Sequence, residues 1–322
     1  MKKLLLSLMV AITLVCGARA YSLDYPTRPV ELVLPFGEGS ATDIFARKFS
    51  EIMNKSMAHP IFAVNKAGGG GLVGMVYAAK QRPDGYSILS ITPSHIISDV
   101  LVRAGKITLP GDFEPLARIQ SDIYVLCSTK GSSFSTFKEL VDHARNTEVT
   151  FAGISPGGLD DLTLNALAFA TGMKIKFVPY KSGAEVKAGV LGGEVEIYLD
   201  KIVSASGYIK DGSVKPLVVL NKERLSSIPE FADVPTTVES GFDVTIGSWR
   251  GFVVRKGTPK EIKDYLIDVM KKAYDDQSYK DFAKMTFTDV GPGWLEGDDF
   301  TKFLESEYKV FDDVSKKIGL KK

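Results

Sequence analysis

From Arg28 onward, short apolar runs alternate with longer segments in which apolar residues recur every three or four positions. A short apolar run is typical of a buried strand, and the longer period is typical of a helix with one buried face. The first part of the chain predicts strands at 30–34, 61–64 and 86–91 and helices at 42–54 and 71–82. Strands and helices that alternate in this way favour parallel sheets covered by helices.

The same alternation starts again after residue 121. It predicts strands at 123–127, 149–152, 175–178, 195–199, 215–220 and 251–254, and helices at 136–145, 159–170 and 184–191. After residue 258 the pattern is helical, with apolar stripes of the kind that face a core. We therefore expect two α/β units, without an internal repeat or a low-complexity linker.

The composition agrees with two domains that fold in water. A chain of 322 residues is long enough for about two domains of roughly 150 residues each. Hydrophobic residues make up 44% and charged residues 25% of it, which excludes a disordered, collagen-like or coiled-coil protein. The formal net charge of +1 does not indicate binding to nucleic acid or to a membrane surface.

The first 20 residues have the features of a secretory signal peptide. Two lysines precede an apolar run over residues 4–15, and Ala18-Arg19-Ala20 provides small residues for cleavage. The apolar run is too short to span a bilayer as a helix. We therefore expect an exported protein of the periplasm. Lipidation at Cys16 stays open as an alternative, although Val15 is bulkier than that processing tolerates.

Three glycine-containing segments each follow a predicted strand and open a predicted helix. They are residues 35–43, 65–74 and 153–158. Glycine allows backbone N–H groups to point outward, and the start of a helix carries a partial positive charge. Three helix starts directed into one cleft would bind a carboxylate without a formal cation. The alternative is that the glycines only make tight strand-to-helix turns.

Two of these segments also match enzyme motifs, and both enzyme interpretations fail on chemistry. Residues 69–74 match the G-x-G-x-x-G motif of dinucleotide-binding folds, but strand 86–91 ends without the acid that holds a ribose hydroxyl. Residues 153–157 match the G-x-S-x-G motif of hydrolases around Ser155. Pro156 lacks the backbone N–H that an oxyanion needs there, and all histidines precede Ser155 in the chain.

A metal or cofactor site is not expected. The three histidines, His59, His95 and His143, are scattered, and no pair of cysteines has a metal-ligand spacing. Among the histidines, only His95 is a candidate for lining a cleft, because it follows the end of a predicted strand.

Taken together, the motifs resemble the extracytoplasmic solute receptors of tripartite tricarboxylate transporters, often called Bug proteins. The resemblance extends from Tyr25 to the C-terminus. The matching motifs are Tyr25-Pro26-Thr27-Arg28-Pro29, Pro35-Phe36 with Gly39 and Asp43, Asn65 with the glycine run, Pro83-Asp84-Gly85-Tyr86, Val178-Pro179-Tyr180-Lys181, Gly192-Gly193-Glu194-Val195, Ile228-Pro229, Val234-Pro235-Thr236 with Glu239, and Trp249 with Gly251.

This resemblance implies an α/β protein with the two-lobed periplasmic-binding-protein fold (type II-like), in which each lobe is a mostly parallel sheet flanked by helices. After the signal peptide at 1–20, residues 21–121 and 248–322 would form lobe 1, and residues 122–247 would form lobe 2. A small organic acid would bind in the cleft between the lobes of a monomer and pass to the membrane subunits of the transporter. The resemblance implies no catalytic residue, metal or cofactor.

The resemblance also indicates which residues contact the ligand. They are Phe36, Gly39, Ser40, Ala41, Thr42, Gly69, Gly70, Gly71, Thr92 and Ser94 in lobe 1, and Ser155, Gly157, Gly158, Asp160 and Asp200 in lobe 2. Two acids, Glu38 and Asp160, depart from the family pattern. Either they interact with helix dipoles, or one of them faces the cleft and disfavours a ligand with several negative charges.

Two other functions stay open from the sequence. One is an exported hydrolase that uses Ser155 as its nucleophile. The other keeps the fold and makes the protein a ligand sensor for a membrane kinase, because the sequence does not mark the surface that would bind a partner.

Overall fold

The computed structural model describes residues 24–102, 107–153, 156–180 and 183–320. The predicted signal peptide, Cys16 and Ser155 lie outside the described residues.

Strands and helices alternate along most of the chain. The strands are β1 (Val30–Leu34), β2 (Ile61–Asn65), β3 (Ser87–Ile91), β4 (Phe113–Asp122), β5 (Tyr124–Ser128), β6 (Val149–Gly153), β7 (Ile175–Pro179), β8 (Ile197–Lys201), β9 (Lys215–Val219), β10 (Ser248–Arg255) and β11 (Leu295–Glu296). The helices are α1 (Ala41–Met53), α2 (Leu72–Ala79), α3 (Pro93–Val102), α4 (Leu109–Asp112), α5 (Phe137–Ala144), α6 (Leu159–Thr171), α7 (Gly183–Gly192), α8 (Ile202–Lys210), α9 (Lys260–Asp275), α10 (Gln277–Met285) and α11 (Gly297–Lys317).

The strands form two sheets. The first sheet has the order β11-β4-β10-β3-β1-β2, and the second has the order β7-β6-β8-β5-β9. β1 pairs in parallel with β2 and β3, and β6 pairs in parallel with β7 and β8. These pairings belong to strand–helix–strand units, as the alternating pattern predicts.

The expectation of mostly parallel sheets is wrong in one respect, because both sheets are mixed. β10 is antiparallel to β3 and β4, and β5 is antiparallel to β8 and β9. The reason is the path of the chain between the sheets. The chain leaves the first sheet through β4 and re-enters it through β10, so these neighbouring strands run in opposite directions.

Apolar packing joins the elements of each sheet and also connects the two sheets. The rings of Phe45 and Phe49 in α1 stack with the ring of Phe252 in β10 of the first sheet, with centroids 5.7 to 6.0 Å apart. A larger cluster contains buried residues of both sheets, such as Val33 in β1 and Leu126 in β5. The two sheets therefore share part of one hydrophobic core.

Several elements are absent from the sequence prediction, among them β4, α3 and α8. β4 was missed because its pattern is polar: Arg118 lies in the middle of this strand and is nevertheless buried. Its guanidinium donates to the carbonyl oxygens of Gly293, at 3.0 Å, and Pro292. The ring of Phe303 lies 4.6 Å from the guanidinium carbon. Partners distant in sequence thus allow a charged residue inside a sheet.

Candidate functional site

The loop between β1 and α1 is held by one buried carboxylate. Asp43, in the first turn of α1, accepts a hydrogen bond from the backbone N–H of Gly39 at 3.0 Å. The same carboxylate accepts from Arg47 Nε at 2.9 Å and from Asn65 Nδ2 at 2.8 Å. Ser40 caps the helix, since its Oγ accepts from the backbone N–H of Asp43 at 3.2 Å. These bonds tie the loop to its own helix and to the neighbouring strand β2.

The negative charge of Asp43 is compensated by hydrogen-bond donors and by the guanidinium of Arg47. Burial acts to raise the pKa of Asp43, but hydrogen bonds from Asn65, Gly39 and Arg47 outweigh burial and place the pKa below its usual value. Asp43 is therefore ionised at neutral pH and paired with the guanidinium of Arg47. This pairing balances the charge of Asp43, and the exposed Glu38 is a second acid in the same loop.

A run of glycines precedes α2. Gly68, Gly69, Gly70 and Gly71 have φ angles of 139°, 56°, 64° and 104°, a region that residues with a side chain enter only with strain. Gly71 is the N-cap of α2 and has no side chain to accept a hydrogen bond from the first helical turn. Backbone oxygens of the run accept these donors instead: the N–H groups of Gly71 and Val73 donate to the carbonyl oxygen of Gly68 at 3.1 and 3.3 Å, and that of Leu72 donates to the carbonyl oxygen of Gly69.

His95 lies behind this glycine run, on the inside of the protein. Its side chain is fully buried, and a Cβ added at Gly71 would lie 2.7 Å from His95 Nε2. On the other side of the ring, Nδ1 lies 3.1 Å from the backbone nitrogen of Thr92. Burial lowers the pKa of His95 to about 4, so the ring is neutral at pH 7. Within the described part of the chain, Nε2 has no hydrogen-bond partner.

Helix α3 connects the glycine segments of the two sheets. Ser98 Oγ would lie 2.9 Å from a Cβ at Gly70, and Leu101 Cδ1 would lie 3.4 Å from a Cβ at Gly157. α3 therefore contacts the glycine run of the first sheet with its middle and the second-sheet loop with its end.

The loop between β6 and α6 repeats the design of the first loop. The backbone N–H of Gly157 donates to Asp161 Oδ2 at 2.7 Å, and Asn165 Nδ2 donates to Asp161 Oδ1 at 2.7 Å. Gly158 is the N-cap of α6 and provides no side-chain cap. Burial raises the pKa of Asp161, and the neighbouring charge of Asp160 adds to this effect, although the hydrogen bonds from Gly157 and Asn165 oppose it.

Asp160, Tyr124, Asp200 and Lys201 form what we call the Asp160 cluster. Tyr124 Oη donates to Asp160 Oδ1 at 2.5 Å, and Lys201 Nζ lies 5.8 Å from the centre of the Tyr124 ring. Asp200 accepts from the backbone N–H of Lys201 at 2.7 Å and from Tyr198 Oη. Burial raises the pKa of Asp160, and Asp200 contributes in the same direction, whereas Lys201 and Tyr124 act against it.

The glycine loops and the Asp160 cluster lie at sheet edges that adjoin each other. β1, β2 and β3 are parallel, so the loops that follow them lie at one edge, the carboxyl edge of the first sheet. The ends of β6 and β8 lie at the carboxyl edge of the second sheet. Ile123 alone separates β4 from β5, and these two strands meet at the carboxyl edges. Such an edge is where ligands bind in open α/β sheets.

A buried ion pair holds the crossing between the two sheets. Arg250 Nη1 lies 2.8 Å from Asp122 Oδ2 and also donates to Gln120 Oε1 at 2.8 Å. Beside it, a Cβ added at Gly247 would lie 2.6 Å from the carbonyl oxygen of Asp122. The backbone thus approaches so closely at this crossing that only glycine fits at position 247.

The predicted ligand-binding residues differ in their exposure to solvent. Those that are exposed or half-buried are Phe36, Gly39, Ser40, Ala41, Gly69, Gly70, Ser94, Gly158, Asp160 and Asp200. Those that are buried are Thr42, Gly71, Thr92 and Gly157, and Ser155 lies outside the described residues. Glu38 is exposed. Contact of these residues with a ligand stays a prediction.

The sequence did not predict that Asp161 and Asn65 hold the glycine loops in place. It also did not predict that Tyr124 and Lys201 interact with Asp160. One signal was available for Asp161. Both loops contain an aspartate four residues after a glycine, at 39–43 and at 157–161. The Tyr124–Asp160 pair left no such signal, because these residues are 36 positions apart.

Other features of the described residues lie away from this site or point to no further chemistry. A cavity of about 460 Å³ lies in the first sheet region, lined by apolar residues that include Leu109, Phe113 and Leu304. Among residues 24–102, 107–153, 156–180 and 183–320, no group of histidines, cysteines and acids has the arrangement of a metal site. In the same part of the chain, none of the helices has the length and apolar character needed to span a membrane.

Comparisons with known proteins identify the relatives of this chain. Residues 45–320 match the model of the tripartite tricarboxylate transporter family receptor. Protein BugT of Bordetella pertussis is 28% identical over 243 residues, which is 74% of this chain and 74% of BugT.

Solved structures agree with this match. A TctC solute-binding protein from Polaromonas superposes with a TM-score of 0.81 at 28% identity, covering 91% of this chain and 99% of that protein. A protein from R. palustris, solved with adipate, superposes with a TM-score of 0.72 at 25% identity, covering 92% of this chain and 99% of that protein.

Proposed function

The chain belongs to the tripartite tricarboxylate transporter receptor family, and on this premise we propose that it is a periplasmic receptor that binds a small organic acid and delivers it to a membrane permease. Family and fold are those of solute-binding proteins. The adipate bound to the R. palustris protein supports a carboxylate as the ligand. Residues 21–121 and 248–322 would form one lobe and residues 122–247 the other, and the protein would act as a monomer.

One observation carries the proposal: the loop that opens α1 leaves N–H groups of a helix start unpaired at the carboxyl edge of the first sheet, where the two sheets adjoin. Ser40 Oγ accepts from the N–H of Asp43, and within the described residues the N–H groups of Ala41 and Thr42 have no acceptor. Such groups bind a carboxylate through hydrogen bonds and the helix dipole. The carboxylate would sit against the glycine run and the loop from Phe36 to Thr42, and the second lobe would contact the rest of the ligand.

The ligand can be identified by measuring thermal unfolding and then calorimetric affinity with mono-, di- and tricarboxylates. A ligand that binds only the folded protein raises the melting temperature. We expect at least one carboxylate to do so. If none of the carboxylates raises the melting temperature or binds in the calorimeter, the proposed function is wrong.

The place of binding is tested by Ala41→Glu. Ala41 is exposed at the first position of α1, so a new acid there suits the helix dipole and the protein should fold. The added negative charge should weaken carboxylate binding by about tenfold or more. Gln277→Glu is the matched control, because it adds the same charge at the first position of α10, away from both edges. Equal affinities of the two variants would contradict this site.

Export and delivery need separate experiments. N-terminal sequencing of the protein recovered from the periplasm should give a chain that starts after Ala20. Purified receptor added to spheroplasts should stimulate uptake of the labelled ligand, and the Ala41→Glu variant should not. A receptor that binds ligand without stimulating uptake would favour a sensing role. Turnover of ester substrates that is abolished by Ser155→Ala would instead favour a hydrolase.

A further inference from the structure

The two carboxyl edges differ in the groups that they present. At the edge of the first sheet, the start of α1 presents the N–H groups of Ala41 and Thr42, Asp43 is paired with Arg47, and Glu38 is exposed on the loop. At the edge of the second sheet, the Asp160 cluster presents carboxylates: Asp160 in the first turn of α6 and Asp200 near the end of β8. The first edge is therefore better suited to an anion than the second.

The hydrogen bonds of the cluster leave one of its carboxylates incompletely paired. Both oxygens of Asp200 have donors, the backbone N–H of Lys201 and the hydroxyl of Tyr198. Asp160 receives one donor from the described part of the chain, the Tyr124 hydroxyl on Oδ1. Asp160 is half-buried, so its second oxygen can accept a hydrogen bond from a bound molecule. An ionised carboxylate can accept several such bonds.

The charge of the cluster favours a donor at this position. Lys201 is the cation that acts on Asp160, and Asp200 is a second anion close to it. Within the described residues Lys201 makes no ion pair with Asp160, and its Nζ lies over the Tyr124 ring. Two carboxylates and one ammonium leave one negative charge in excess. A ligand carboxylate placed here would be repelled, whereas an N–H group would be attracted.

We infer that the ligand is a small carboxylate whose other end carries a nitrogen donor, an ammonium or an amide group, and that Asp160 accepts the hydrogen bond from this donor. The inference rests on the proposed receptor function and deepens it. The carboxylate of the ligand would meet the N–H groups of the first sheet, and its nitrogen would meet Asp160. A dicarboxylate of the same length would place its second anion against Asp160 and would bind more weakly.

Matched probes test this inference by calorimetry. One series is succinate, succinamate and β-alanine, and a longer series is adipate, adipamate and 6-aminohexanoate. We expect the wild-type protein to prefer the amide or the amine to the dicarboxylate in the series that fits the cleft. Asp160→Asn should shift this preference toward the dicarboxylate by about 10- to 100-fold, the effect expected when a hydrogen bond to a charged group is lost.

Asp142→Asn is the matched control, because it removes one exposed carboxylate from the same sheet region, on α5. It should leave the preference unchanged. Thermal unfolding without ligand shows whether each variant is folded, and Asp160→Ser gives a second, smaller replacement if Asp160→Asn is unstable.

The outcomes separate this inference from the proposed function. A wild-type protein that binds the dicarboxylates as tightly as the amines and amides, with a preference unchanged by Asp160→Asn and Asp160→Ser, overturns the inference and leaves a carboxylate receptor. A wild-type preference for the nitrogen donors that is lost in the Asp160 variants supports it. A protein that binds none of the mono- or dicarboxylates overturns both.

Discussion

The loops after β1 and β6 have the same backbone design and opposite electrostatic environments. Gly39 and Gly157 have φ angles of 75° and 74°, and each donates its N–H to an aspartate four residues later, Asp43 or Asp161. Each loop opens a helix of 13 residues. A short sequence pattern thus produces the same turn in two different sheets.

The difference lies in what surrounds the two aspartates. Asp43 has the guanidinium of Arg47 as a partner, and its pKa is lowered. Asp161 has the neutral amide of Asn165 and the neighbouring acid Asp160, and its pKa is raised. The aspartate of this turn is therefore paired with a cation in the first sheet, whereas in the second sheet it lies beside another acid. We expect these two loops to respond differently to substitution and to pH.

The largest expected effect comes from Gly71 in the glycine run of the first sheet, compared with Gly157 in the loop of the second sheet. Gly71→Ala forces a side chain into φ 104° and places its Cβ 2.7 Å from the buried His95 ring, which should lower the free energy of unfolding by about 3–4 kcal/mol. Gly157→Ala meets only the terminal methyl groups of Leu320 and Leu101, so about 1–2 kcal/mol is expected from backbone strain. Urea unfolding measures both, and equal losses would contradict the role of His95.

Because His95 is buried and neutral, the free energy of unfolding should decrease as the pH falls. Burial lowers its pKa from 6.5 to about 4, so the unfolded chain binds a proton at a higher pH than the folded protein does. The stability contributed by neutral His95 is complete above pH 6.5 and is lost as the pH falls towards 4, by about 3 kcal/mol at most. His95→Gln should remove this part of the pH dependence in urea unfolding measured between pH 7 and 4. An unchanged profile would show that another group is responsible.

Removing the two loop aspartates should distinguish their environments. Asp43→Ala deprives the Gly39 N–H, Asn65 and Arg47 of their acceptor, and we expect a loss of about 2–3 kcal/mol in the free energy of unfolding. Asp161→Ala should cost only about 1 kcal/mol, because it also removes a buried charge that lies beside Asp160. Glu51→Ala, an exposed acid on α1, is the control and should stay within about 0.5 kcal/mol of the wild type.

The smallest effect concerns Asp160 and has the opposite sign. Its raised pKa means that the stability contributed by the protonated form is complete below the unfolded pKa, near 3.8, and is lost as the pH rises through the folded pKa. Asp160→Asn should therefore stabilise the ligand-free protein at pH 7 by up to about 1 kcal/mol, a gain that disappears near pH 4. Urea unfolding at the two pH values measures it. A variant that is less stable at pH 7 would mean that the Tyr124 hydrogen bond outweighs the cost of burying the charge.

Local sequence patterns predicted most of the strands, helices and glycine loops of this chain. The first strand is predicted at its observed bounds, Val30–Leu34, and α6 within one residue of them. These features depend on neighbours along the chain: apolar periodicity, and glycine where a positive φ is required. The family resemblance rested on the same local motifs, and the comparisons confirm it.

The side chains that contact each other could be identified from the folded protein alone. His95 lies against Gly71, Asn65 binds Asp43 from the next strand, and Tyr124 binds Asp160. The strand β4, with its buried Arg118, depends on carbonyl groups some 175 residues away. Contacts of this kind follow from the order in which strands join a sheet, and that order leaves no periodic trace in the sequence. Local patterns fix the backbone conformation of a segment, whereas the partners of a buried charge come from distant segments that the fold brings to it.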